Sequence, residues 1–399
     1  MLARPTTSNI AAIPNSPVFQ NAQLVFQAAP LTTGLNSLGL LLFIAGFFAL
    51  TVPQIVTARN LSMLIIEFSI TSVLALGMLL VILPGHIDLS AGSGVGLIGG
   101  VASVLIMRLH VPAPLALGAG LLLALVLWRA MGALIVSQGI PAFIITLGGL
   151  LTCKGLFWLV IRNTTVPVVA GGQKNLFSIL TTYYLPPLPS YLLAGLVIAA
   201  LAVARWRKLR LGERGGGAAD AELHFLRWLV TAQAIALLVL ICAQFRGLPL
   251  PALILASVAL LVHVLTQHTR LGRSLYAIGG NEEAAFLAGI PVGRAVVAAF
   301  TLMGALVAVT GFLQTAYAGA STTTVGELME LDAVAACVIG GASLRGGRGT
   351  AFGVLLGGLI MAALLNGMSL LAVPPEARFI ARGVVLALAA WLDVRLARL

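Results

Sequence analysis

Between residues 37 and 394 the chain presents one apolar run after another, each close to the length needed to cross a bilayer and separated by polar turns. A hydrocarbon core about 30 Å thick needs about 17 to 25 helical residues. Runs of that kind lie at 37–52, 61–83, 89–107, 113–136, 142–161, 190–204, 228–244, 250–266, 295–316, 329–344, 350–372 and 378–394. Only helices or closed barrels satisfy their own backbone in lipid, so the fold class is an all-α, polytopic transmembrane helical bundle of roughly ten to twelve spans. The segments 190–204 and 329–344 are short for a crossing and predict tilted, discontinuous or re-entrant helices. Charged residues make up 9% of the chain against 60% apolar, a ratio that leaves a soluble shell without cover.

The formal net charge of +11 does not mark a nucleic-acid partner, because the basic residues sit in short turns and build no continuous face. Positive-inside bias accounts for them. The block Arg205 to Arg210, with Arg214 and Arg227, and the loop holding Arg270, Arg273 and Arg294 both belong in the cytoplasm on that rule. Counting outward places both termini inside as well. The first 35 residues, polar and containing four prolines, read as a disordered cytoplasmic tail. They lack the pattern of a cleavable signal. Residues 36–399 read as one transmembrane domain, with 190–244 as an extra hairpin and 267–294 as a structured inner loop.

Cys153, Cys242 and Cys337 lie in separate apolar runs and read as buried thiols. The five histidines have no metal-ligand spacing, and no metal site is expected. None of the three lysines, Lys154, Lys174 and Lys208, is followed by Ser or Thr, so a phosphate-binding GxxxxGK[ST] loop is absent. ATP is therefore expected to be hydrolysed, if at all, on another polypeptide, and the chain is not expected to be an enzyme or to bind a cofactor.

The inner loop carries the most local information. Gly279 and Gly280 should break the preceding element, and Asn281 is a good N-cap. Glu282 and Glu283 fall in the first turn, where the helix dipole favours carboxylates. Ala284, Ala285, Phe286 and Leu287 continue a helix of about two turns, which Gly289 and Pro291 end. So short a helix needs a surface to rest on, either lipid headgroups or a cytoplasmic partner.

Glu283-Ala284-Ala285 followed by Gly289 resembles the start of the EAA motif of membrane subunits of ATP-binding-cassette importers; Phe300-Thr301-Leu302-Met303 stands where that motif has its later Ile-x-Leu-Pro portion. Gly85-His86-Ile87-Asp88-Leu89-Ser90-Ala91-Gly92-Ser93 resembles the GxIDLSxGS signature of the ribose/xylose/arabinose/galactose permease family. Leu271-Gly272-Arg273 through Tyr276 to Glu282 is similar to that family's coupling loop, and Glu330 to Leu344 followed by Gly346-Gly347 is similar to its second-half signature. The hairpin at 190–244 and Asn366-Gly367-Met368-Ser369 look most like the xylose-type permeases.

The resemblance implies a pore-forming subunit that moves a monosaccharide, with D-xylose first among candidates. It further implies a second permease copy, a cytoplasmic ATP-binding-cassette ATPase carrying ATP and Mg, a periplasmic sugar-binding protein and a place in the bacterial inner membrane. Gly279 to Leu287 and Gly289 would be the coupling residues. Asp88, Ser90, Gly92, Ser93, Asp332, Gly340, Gly341 and Ser343 would mark the translocation pathway or its signatures. From the residues alone, Asp88 and Asp332 read first as caps at helix starts and second as sugar contacts. Glu67 and Lys154 are deep charges able to pair. Glu327, Glu330 and Glu376 are expected at the outer rim. An ion-coupled carrier acting alone is the alternative, with Asp88, Asp332 or Glu67 as its titratable group.

Overall fold

The computed structural model describes residues 53–169, 172, 174–210 and 218–396, with a few positions between 39 and 51. The tail 1–35, most of the candidate span 37–52 and Arg214 lie outside the described residues, as do the side chains of Arg205, Arg207, Lys208, Arg210 and Arg227.

Among the described residues, fourteen α-helices can be given complete bounds. They are α1 (Ala58–Ile82), α2 (Ala91–Met107), α3 (Ala113–Gln138), α4 (Ala142–Ile161), α5 (Leu176–Thr182), α6 (Pro187–Arg210) and α7 (Ala218–Ala243). They continue as α8 (Leu250–His268), α9 (Arg270–Gly280), α10 (Glu282–Leu287), α11 (Val292–Ala318), α12 (Met329–Ile339), α13 (Ala351–Leu370) and α14 (Pro375–Leu396). The all-α expectation holds. Two-residue bridges join Val166–Pro167 to Ala320–Ser321 and Tyr184–Leu185 to Leu248–Pro249, so the loops at one end of the bundle are stitched together.

Helices α1, α3, α4, α8, α11 and α13 are each long and apolar enough to cross a membrane. They differ in where their apolar surface goes. The most apolar window of α1 is 83% buried inside the chain, that of α4 only 22%. Helix α1 is therefore the central post, with Val73 to Leu83 sealed from all sides. Helices α3, α4 and α8 turn Leu122, Leu151, Leu159 and Leu260 outward, as surfaces meeting lipid do. Helix α11 packs against α1, α2 and α3, and α13 against α1 and α12.

Two of the expected crossings are incomplete. The 329–344 run is helical only over α12, which rises about 16 Å at 1.5 Å per residue, roughly half a hydrocarbon core. The chain before it, 322–328, runs alongside α2, since the carbonyls of Val325 and Gly326 lie against Gly96 and Gly92. Helix α2 likewise starts late: residues 83–90 return from the end of α1 before the helix opens at Ala91. Two interrupted helices thus begin next to one another inside the bundle. The short run at 329–344 predicted one of them, but the interruption before α2 was not expected, and 190–204, expected to be short or broken, is part of the continuous 24-residue α6.

Candidate coupling surface and buried signature residues

The loop between α8 and α11 folds into two consecutive helices with a sharp corner. Thr269 caps α9, its hydroxyl accepting from the Gly272 N–H at 3.2 Å. Leu275 and Ile278 point into the core, while Tyr276 Oη–H donates to the Gly349 carbonyl at 2.6 Å. Gly279 and Gly280 are the last two residues of α9, so the preceding element ends at this pair as expected; Gly279 also rests directly on neighbouring backbone where a side chain has no room.

Asn281 is the hinge between α9 and α10. Its N–H closes on the Ala277 carbonyl at 3.0 Å, and its Oδ1 accepts from the Ala284 N–H at 2.9 Å. It thus ends one helix and caps the next, as an N-cap asparagine should. Glu282 and Glu283 occupy the first turn of α10. Gly289 takes the left-handed conformation (φ +80°), and the Ile290 N–H returns to the Ala285 carbonyl at 3.0 Å, the closing bond of a Schellman-type end. Ala285 faces inward, whereas Phe286 and Leu287 are 69% and 78% exposed. Large apolar side chains at the tip of a solvated corner are unusual unless something covers them.

The signature residues are packed inside. Asp88 is sealed from solvent, and Trp128 Nε1–H on α3 donates to its Oδ2 at 2.6 Å. Ser90 N–H and Ser90 Oγ–H both donate to Oδ1. Trp128 fits because Gly94 on α2 and Gly304 on α11 leave room for its ring; a Cβ at either would strike it. Asp88 thus fixes the start of α2, although the capping position is Ser90. Ser93 Oγ–H donates back to the Ser90 carbonyl at 2.9 Å.

Asp332 does not cap α12, whose N-cap is Leu328 in left-handed geometry. Its Oδ2 instead lies 3.2 Å from Nη2 of Arg382 on α14. Asp332 falls within the first turn and its carboxylate points toward a cation on a neighbouring helix, so the ion pair replaces the expected cap. Glu330 is also corrected: it is buried rather than at the rim, with its carboxylate over Gly92. The chain descends alongside α2 before α12 starts and carries Glu330 inward. Glu327 and Glu376 are exposed as expected.

Glu67 and Lys154 do not meet. Glu67 accepts from Tyr317 Oη–H at 2.9 Å and from Asn366 Nδ2–H at 3.2 Å, and Asn60 Nδ2–H donates to Asn366 Oδ1 at 2.9 Å. Lys154 sits 5.5 Å from the centre of the Trp158 ring on its own helix. The three cysteines are buried and free.

Beyond α12, Gly340 packs against the backbone of Gly353, and Gly341 turns the chain at φ +85°. The Ser343 N–H donates to the Arg348 carbonyl at 3.0 Å, and its Oγ accepts from the Arg345 N–H. Of the signature positions, Asp88 and Ser90 lie in the turn 83–90 and Gly340, Gly341 and Ser343 in the turn 340–350, both of which reach α9, whereas Gly92 and Ser93 lie in α2 and Asp332 in α12. Two surface hollows of 450 and 390 Å³ lie elsewhere and share Tyr184 and Arg246.

Residues 60–390 match the family described as branched-chain amino acid transport system / permease component. The chain belongs to that family. It is 37% identical over 371 residues to the xylose transport system permease protein of Escherichia coli (strain K12), covering 90% of this chain and 93% of that protein. The Haemophilus influenzae protein of the same name is 37% identical over 354 residues, covering 88% and 93%. The ribose import permease protein of Escherichia coli (strain K12) is 30% identical over 358 residues, covering 90% and 92%. No solved structure matches. The chain is thus a multi-pass membrane transport component.

Three partners were not named from sequence: Trp128 for Asp88, Arg382 for Asp332, and the Tyr317–Asn366–Asn60 set for Glu67. The usable signal was that a carboxylate at membrane depth needs a donor or a cation, and Arg382 stands inside the last apolar run.

Proposed function

We propose that this chain is the pore-forming permease subunit of an ATP-driven sugar importer, with D-xylose its leading substrate. The observation that carries the reading is the α9–α10 corner. A capped helix of six residues presents Phe286 and Leu287 outward and cannot stand alone in water. Its natural cover is an apolar groove on a cytoplasmic ATP-binding-cassette ATPase, which supplies ATP and Mg; this chain binds neither. The pore forms with a second copy of the chain, and a periplasmic binding protein delivers the sugar to the opposite face. The α9–α10 face is cytoplasmic, both termini lie on that side, and the assembly resides in the bacterial inner membrane. Similarity over nine-tenths of the chain to permeases named for xylose, ahead of one named for ribose, supports the substrate.

On this reading Gly279 to Leu287 and Gly289 couple ATP hydrolysis to the bundle. Asp88, Ser90, Gly92, Ser93, Asp332, Gly340, Gly341 and Ser343 hold the interrupted helices that open and close the pathway. A self-contained ion-coupled carrier is disfavoured, because it has no use for an exposed apolar corner. Changing Phe286 and Leu287 together to serine should leave the chain folded in the membrane and release the ATPase on co-purification. Retention of a stoichiometric ATPase by that variant would remove the basis for the proposal.

A further inference from the structure

Three backbone segments meet at one point on the α9–α10 face. A Cβ on Gly279 would overlap the Leu83 carbonyl oxygen and the Gly347 amide nitrogen. A Cβ on Gly346 would lie 2.8 Å from the Gly279 Cα and 2.8 Å from the Gly85 nitrogen. The Gly347 N–H donates to the Leu83 carbonyl at 2.9 Å. Gly85, Gly346 and Gly347 all hold left-handed conformations, at φ +89°, +87° and +73°. Each of these residues is required to be glycine by space, by conformation or by both.

The segments that meet are not equivalent pieces of packing. Leu83–Gly85 is the turn that feeds Asp88, Ser90 and α2. Gly346–Gly347 belongs to the loop that follows Gly341 and Ser343 at the end of α12. Gly279 is two residues from Asn281, which ends α9 and starts α10 with no linker between them. Tyr276, one helical turn earlier, holds the same second loop through the Gly349 carbonyl. Glu282 acts electrostatically on His86 in the first turn. Helix α9 therefore touches the turn that precedes α2 and the loop that follows α12, and these two helices in turn touch each other where Glu330 and Gly326 lie over Gly92.

We propose that the Gly85–Gly279–Gly346 contact is the junction through which displacement of α10 reaches α2 and α12 in one stroke, making these three glycines positioning residues for transport. The inference rests on the coupling role proposed above for α10. Its physical basis is that backbone packed on backbone has no rotamers with which to absorb a push. Side-chain contacts can re-pack, whereas a dense main-chain contact transmits displacement. A methyl group at Gly279 separates the three segments and lets α10 move without them.

Two readouts test this. In the complete transporter reconstituted in proteoliposomes, Gly346→Ala, which lies outside the coupling residues, should still assemble and hydrolyse ATP, with sugar moved per ATP falling about tenfold or more. A purely structural role would lower the yield of complex and leave that ratio unchanged, which would overturn the proposal. The second readout needs neither ATP nor sugar: amide exchange of the purified full chain in nanodiscs. Gly279→Ala should speed exchange about tenfold in 83–90 and 343–350 together, and Gly118→Ala, whose Cβ meets nothing within 4 Å, should change neither. Acceleration in one segment alone, or in neither, overturns the junction. Tyr276→Phe, which removes one hydrogen bond without adding bulk, gives a smaller joint acceleration and serves if Gly279→Ala does not fold. Absence of ATP-driven uptake by the wild-type complex would instead count against the proposed function, and exchange would still decide the junction.

Discussion

Replacing Arg382 with methionine removes the cation that faces Asp332 from α14. The ion pair measures 3.2 Å, and the two side chains are 21% and 6% exposed, so bulk water cannot take over the role of the guanidinium. The second carboxylate oxygen of Asp332 already has no hydrogen-bond partner in the structure. The variant therefore leaves a buried carboxylate almost uncompensated. Breaking a buried pair from one side costs about 3–5 kcal/mol, whereas replacing both members with uncharged groups of similar size is often close to neutral. Arg382→Met should accordingly lower the thermal unfolding midpoint of the detergent-purified chain sharply. Adding Asp332→Asn should recover most of the loss, because the orphaned charge is then gone. Size-exclusion monodispersity followed over a temperature ramp reads both effects. A single variant as stable as wild type, or a double variant no better than the single, would falsify the view that the pair joins α12 to α14.

Other outcomes follow from the same geometry. Trp128→Phe removes the indole N–H from Asp88 while keeping the aromatic bulk between Gly94 and Gly304, and should cost about 1.5–3 kcal/mol, the range for a hydrogen bond to a charged group; an unchanged midpoint in the same thermal assay would mean the Ser90 donors suffice. His86, in the turn after α1, is held below its ordinary value of 6.5 chiefly by burial, with the Glu282 carboxylate pulling it partly back. The unfolded chain therefore takes up the proton first, so the neutral imidazole's contribution is full above pH 6.5 and fades as the pH falls through and below that value. Between pH 8 and pH 5 the wild-type midpoint should fall more steeply than that of His86→Gln, and parallel curves would contradict that assignment.

How much of this was legible in the sequence depends on the range of the interaction. The α10 helix was readable because its signals are local: Asn281 caps it, Glu282 and Glu283 match its dipole, and Gly289 and Pro291 stop it. Period and composition likewise foretold an all-α bundle with an interrupted crossing at 329–344. What failed was long-range. Gly279 and Gly280 were read for the end of α9, which they form, but the close packing around Gly279 was missed, because it is set by Leu83 and Gly347, which are distant in sequence. Asp332 read as a cap because a carboxylate near a helix start usually is one, and its true partner lies 50 residues on. Glu330 read as a rim residue because nothing in its neighbourhood announces that the preceding loop descends beside α2. Pairing between helices is fixed by packing, and one sequence carries no record of which apolar faces meet.

On the proposed reading this chain moves D-xylose, and only as part of an ATP-driven assembly. The direct test is uptake of radiolabelled D-xylose into proteoliposomes holding the chain with its ATPase, supplied with the loaded binding protein on the side away from α10. Uptake that requires ATP on the α10 side and all three components is the predicted result. Uptake by the chain alone under an ion gradient, or ATP-driven uptake of ribose with none of xylose, would contradict it.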